Sequence, residues 1–187
     1  MLQNGDLKKN ERQTLYDRVY MHMALAVSNL SYAIRHKVGA VIVSSDGQVV
    51  SQGFNGTPSG FTNVCEYAID KDGFINHSNP EYSDNSKELD DAEFKFVVEC
   101  NENPDFKLKT KPIVLHAESN AITKCAKWGS STSGATLYVT MSPCIECSKL
   151  IIQSGIKRVV YLEQYRDTSG IDLLKDSNVE VQQINIQ

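Results

Sequence analysis

The stretch Ala135-Thr136-Leu137-Tyr138-Val139-Thr140-Met141-Ser142-Pro143-Cys144-Ile145-Glu146-Cys147 decides how the rest of the chain is read. Its first six residues are mostly apolar or β-branched and predict a strand. From Cys144 to Ser154 the apolar spacing becomes helical, and Gly155 marks the stop. Arg158 to Leu162 reads as another strand, Ile171 to Lys175 as a short helix and Val179 to Ile184 as a last strand. Upstream, Val38-Gly39-Ala40-Val41-Ile42-Val43 is a continuous apolar run of the kind buried on both faces of a sheet. Asp46-Gly47 closes a hairpin onto Val49–Phe54. One hairpin followed by alternating helices and strands predicts a three-layer α/β/α fold around a five-stranded mixed sheet.

The helix predicted before Ala135 begins near His116-Ala117-Glu118 and ends at Gly129, with Ala117, Ala121, Ile122 and Cys125 on one face. A second helix is predicted over Thr14–Leu30, burying Leu15, Val19, Met23, Ala26, Val27 and Leu30. Residues 1–10 read as a loose polar tail. Residues 66–111 are rich in Asp, Glu, Asn and Lys and read as a solvated surface insertion, with a lid or a subunit contact as the functional alternative. The 187 residues thus read as a single domain, 1–187, with a tail at one end and an insertion near 66–111.

A net charge of −4 argues against broad nonspecific nucleic-acid binding. No stretch is apolar enough for a membrane span, and the first ten residues lack a signal-peptide core. Five cysteines, an odd number with two at metal-binding spacing, suggest a reducing compartment rather than a disulfide framework.

His116, Cys144 and Cys147 are the candidate metal ligands. An imidazole and two thiolates suit zinc, and three protein ligands leave a fourth tetrahedral position open, as catalytic sites require. Zinc brings water to nucleophilic strength near neutral pH. Glu118 is placed to move protons rather than bind metal, a task that suits a carboxyl with a pKa near neutrality. Both helices direct their N-termini at the site, which favours thiolates. The alternative is a zinc knuckle that only braces the fold. His22, His36 and His77 read as surface or packed histidines, and Cys65, Cys100 and Cys125 as unpaired thiols.

The pattern His116-x-Glu118 with Pro143-Cys144-x-x-Cys147 is the signature of zinc deaminases acting on nucleobases. With Val38-Gly39-Ala40-Val41-Ile42, Gly53-Phe54-Asn55-Gly56-Thr57-Pro58-Ser59-Gly60 and Thr140-Met141-Ser142-Pro143-Cys144, the chain resembles the deoxycytidylate (dCMP) deaminases from about Thr14 to Ile184. The resemblance implies a cytidine deaminase-like fold and hydrolysis of dCMP to dUMP and ammonia, supplying thymidylate synthesis. It implies attack at C4 of cytosine, with Glu118 carrying the proton to N3 and then to the departing amine. It also implies a cytoplasmic homo-hexamer (in the host cytoplasm for a phage protein), activated by dCTP with Mg2+ and inhibited by dTTP.

The residues expected to bind substrate are Asn55 at the sugar hydroxyl, Arg35 at the 5′-phosphate with Lys37 as rival, and Ala117, Tyr138 and Ser142. Packing is the alternative role for Tyr138. Gly53, Phe54, Asn55, Gly56 and Thr57 lie in the family's usual effector loop, where Phe54 replaces the usual tyrosine. Some phage relatives hold a second, structural zinc; Val64 precedes Cys65 here and no cysteine lies ahead of Lys37, so one zinc per subunit is expected. Deaminases of free cytidine, tRNA adenosine or pteridine type, and a non-catalytic zinc-bearing assembly module, are the rival readings.

Overall fold

A computed structural model describes residues 4–73, 75–76 and 87–186; His77 lies outside the described residues. In chain order the elements are α1 (Asn4–Ser28), β1 (Gly39–Val43), β2 (Val49–Phe54), β3 (Glu66–Ile69), β4 (Ile75–Asn76), α2 (Lys87–Glu102), β5 (Lys107–Thr110), α3 (Ala117–Trp128), β6 (Thr136–Met141), α4 (Ile145–Gln153), β7 (Arg158–Glu163), α5 (Ser169–Asp176) and β8 (Glu180–Gln183). They divide into two compact units, one of residues 1–30, 38–54 and 117–187, the other of 31–37 and 55–116.

The first unit carries the five-stranded mixed sheet, in the order β2-β1-β6-β7-β8. β1 is antiparallel to both β2 and β6, while β6, β7 and β8 run parallel. α4 and α5 are the crossovers between the parallel strands. Alternation along β6 sends Leu137 and Val139 into a core shared with Ala121, Cys125, Ile151 and Leu174, and sends Tyr138 to the other face with Met21 and Ala24 of α1. Helices therefore cover both faces, as the strand and helix order predicts.

Two glycines set how closely the layers approach. A Cβ at Gly39 would lie 2.0 Å from the Ala24 carbonyl oxygen in α1, and one at Gly53 would lie 2.4 Å from the Ala117 carbonyl oxygen in α3. Gly53→Ala is expected to cost about 1–3 kcal/mol, because backbone must move to admit the methyl. Urea unfolding checks this, and an unchanged midpoint would show that α3 shifts freely.

The Gly39 contact explains a correction in α1. Most of the expected inward face is wrong: Leu15, Val19, Met23, Ala26 and Leu30 are exposed, Val27 packs partly against the core, and Asp17, Met21, Ala24 and Ser28 are buried instead. Only small side chains fit where α1 rides against Gly39, and Asp17 is satisfied by Arg158 and Tyr138. Residues 4–10 belong to α1 rather than to a loose tail.

The second unit also departs from expectation. Much of the expected solvated insertion forms an antiparallel three-stranded sheet, β4-β3-β5, with α2 against it. Val64, Cys65, Glu66, Ala68, Val97 and Cys100 are buried there. Lys111, itself buried, pairs with Glu93 at 2.9 Å. Among the described residues no helix is long and apolar enough to cross a membrane.

Candidate active site

The loop leaving β6 is held by its neighbours. The Ser142 amide donates to the Glu163 carbonyl at 2.8 Å, and the Ser142 hydroxyl accepts from the Tyr165 amide at 2.8 Å. Cys144 then takes an extended conformation as the N-cap of α4, and its carbonyl accepts from the Ser148 amide at 2.9 Å and hydroxyl at 3.0 Å. Gly170 of α5 lies against this turn; a Cβ there would sit 2.3 Å from the Pro143 carbonyl oxygen. On the other strand of approach, Gly56 and Leu115 exchange backbone hydrogen bonds of 3.1 and 2.9 Å just before His116, and α3 starts at Ala117.

This construction brings the ligand atoms of His116, Cys144 and Cys147 within 4.8 Å of one another. Zinc–sulfur bonds of about 2.3 Å place two thiolates about 3.8 Å apart in a tetrahedron. The donors therefore need to close by no more than about an ångström, and their chemistry fits zinc. Glu118, buried in the first turn of α3, is not part of that set, yet its charge reaches Cys147. The site thus keeps one carboxylate beside the donors without adding it to them.

A hydrogen bond with Cys144, then burial, then the charge of Glu118 push the Cys147 thiol far up. A divalent cation on the donors would oppose these effects and favour the thiolates. The remaining cysteines shift in the same direction. Burial, with Glu66 alongside, raises the Cys65 thiol to about 11, and burial also raises Cys100 and Cys125.

The other expected site residues separate into groups. Ala117 and Ser142 are buried beside the ligands in sequence. Asn55 donates its side-chain amide to the His36 carbonyl at 2.8 Å, and Arg35 is exposed with Nη1 donating to Thr110 Oγ1 at 3.3 Å. Thr57 Oγ1 donates to the Thr62 carbonyl at 2.7 Å. Gly53 is packed on α3, and the Phe54 ring lies 5.3 Å from Lys124 Nζ. Tyr138 requires a correction: it lies on the α1 face of β6, and its hydroxyl donates to Asp17 Oδ1 at 2.8 Å, so it packs rather than holds substrate.

Sequence reasoning missed Asn120, whose amide donates to the Phe54 carbonyl at 2.8 Å and joins α3 to the end of β2. It also missed Gly170. A glycine at the second position of a helix has no capping role, and that oddity was the available signal.

The fold and this donor set define a zinc-dependent deaminase, and the chain belongs to the cytidine and deoxycytidylate deaminase family: the profile described as the cytidine and deoxycytidylate deaminase zinc-binding region matches residues 15–163. A deoxycytidylate deaminase of Enterobacteria phage T4 is 37% identical over 167 residues, covering 86% of each chain. The human deoxycytidylate deaminase is 32% identical over 163 residues, covering 86% of this chain and 72% of that one. The crystal structure of a dCMP deaminase from the cyanophage S-TIM5, in complex with dCMP and dUMP, matches with a TM-score of 0.65 at 38% identity, over 89% of this chain and 94% of that chain.

Proposed function

We propose that this protein hydrolyses dCMP to dUMP and ammonia at the His116–Cys144–Cys147 centre. The observation that carries the reading is the gathering of one imidazole and two thiols within 4.8 Å, with the buried Glu118 beside them and outside the set. The likeness to phage and human deoxycytidylate deaminases supplies the substrate. Zinc, when bound, lowers the pKa of water enough for attack at neutral pH. Glu118 accepts the proton of the attacking water and delivers it to N3, then takes the proton of the new C4 hydroxyl and gives it to the amine, which leaves as ammonia while the C4 carbonyl forms. Ala117 and Ser142 line the base. Asn55 reads the sugar hydroxyl and Arg35 grips the 5′-phosphate through a guanidinium suited to bidentate contact.

The family match spans both compact units, which supports treating the chain as a single deaminase domain with an insertion near 66–111. Activation by dCTP with Mg2+, inhibition by dTTP, a homo-hexamer and a cytoplasmic location complete the reading. Residues 53–57 are the proposed effector loop. The apolar stripe on α1, with Leu15, Val19 and Met23 exposed, supports self-association, since monomers rarely leave such a patch open.

The direct test follows the absorbance of dCMP with zinc-loaded protein, with and without dCTP plus Mg2+. Turnover is expected, rising with dCTP and disappearing on chelation of the metal. Turnover indifferent to dCTP would remove the regulatory part alone. Equal turnover of deoxycytidine would show that the phosphate is not read.

A further inference from the structure

We infer that Glu66 is a positioning residue for phosphate recognition, holding the loop of residues 31–37 so that Arg35 meets the 5′-phosphate. This rests on the reading of Arg35 above. Glu66 opens β3, and its carboxylate is buried. Both carboxylate oxygens accept from the Ile34 amide at 3.3 Å, and Oε1 also accepts from the Arg35 amide at 3.4 Å. The partner strand adds a second hold: Glu66 is paired in register with Thr110, whose hydroxyl accepts from the Arg35 guanidinium. Arg35 is thus tied by its backbone to one strand and by its side chain to the next.

The rest of the loop is fastened as well. The Ser31 hydroxyl donates to the Asn55 carbonyl at 2.7 Å and accepts from the Ala33 amide at 3.1 Å. The Asn55 side chain donates to the His36 carbonyl at 2.8 Å. The residue assigned to the sugar and the loop assigned to the phosphate are therefore one hydrogen-bonded assembly. Arg35, His36 and Lys37 are exposed on it, three consecutive basic side chains on a fixed backbone.

A carboxylate is a costly way to brace a loop. Burial raises the Glu66 pKa, and the amides of Ile34 and Arg35, with the charges of Arg35 and Lys111, only partly offset it. An apolar residue would pack there without that desolvation cost. What a carboxylate supplies, and an apolar residue cannot, is a pair of acceptors that fix two successive amide directions. It also fixes the direction in which the Arg35 side chain leaves the backbone. Phosphate recognition by a guanidinium depends on that direction.

The test compares Glu66→Ala and Glu66→Gln with the unaltered enzyme, each assayed for zinc content, dCMP kinetics and inhibition by inorganic phosphate. Glu66→Ala is expected to raise KM for dCMP about tenfold with kcat within about twofold, the pattern of lost uniform binding. Phosphate inhibition should weaken in parallel. Glu66→Gln, which keeps an acceptor oxygen, should rescue most of the loss, and Thr110→Val, which removes the hold on the Arg35 guanidinium, carries the test if the alanine variant fails to fold. Thr110→Val should raise KM in the same direction. A KM within twofold of wild type in folded, zinc-loaded Glu66→Ala and Thr110→Val would overturn the inference and leave the dCMP reading standing. A fall in kcat at unchanged KM would also overturn it. Absence of dCMP turnover and binding in the unaltered enzyme would remove both.

Discussion

Glu118→Gln is expected to lower kcat for dCMP on the order of 10⁴-fold while leaving zinc bound. The glutamine amide has nearly the same shape but cannot accept and return a proton. On the proposed mechanism the same group serves both transfers, to N3 and then to the amine, so its loss affects both. The structure keeps Glu118 out of the donor set: it is buried in the first turn of α3, while His116, Cys144 and Cys147 gather without it. Zinc content by atomic emission and dCMP binding should both be near wild type. Loss of zinc would make Glu118 part of the metal shell. A kcat within tenfold of wild type would show that another group moves the proton.

That division was legible in the sequence because chemistry at zinc constrains both residue type and spacing. His116, Cys144 and Cys147 are few, reactive and close in sequence to helix starts. The sheet was legible for a similar reason: β1 is an unbroken apolar run, β6 and β7 have apolar and β-branched centres, and Asp46-Gly47 leaves little choice of turn. Amphipathic patterning failed in α1, where apolar residues occupy both sides and the nature of the contact decides which side goes in. Asp17, Ala24 and Ser28 face inward because Gly39 brings α1 close and Arg158 supplies a partner for the charge. Neither fact is local to the helix. The second unit hid for another reason. Its helix α2 buries Val97 and Cys100 beneath a largely acidic surface, and its stabilising contacts include ions such as Lys111 and Glu93. Polar composition therefore looked like loop.

Asp17→Ala is expected to destabilise the fold by about 3–5 kcal/mol, the range for removing one partner of a buried ion pair. Asp17 and Arg158 form a bidentate pair with both bonds at 2.7 Å, and the Tyr138 hydroxyl donates to the same carboxylate. Removing the carboxylate strands a cation and a hydroxyl between α1 and the sheet. The lower end of the range is expected, because Glu180 keeps a 2.9 Å contact with Arg158. Burial works to raise the Asp17 pKa, but the Arg158, Gln13 and Tyr138 hydrogen bonds outweigh it and hold the carboxyl below its ordinary value. The group therefore contributes fully above its unfolded pKa of about 3.9 and loses that contribution as pH falls through the lower folded value. The stability gap between wild type and Asp17→Asn should be constant near neutrality and shrink below about pH 4. A gap that persists at pH 2 would mean that packing, not charge, fastens α1. Adding Arg158→Met to Asp17→Ala should recover part of the loss, since the double variant leaves no buried charge unpaired.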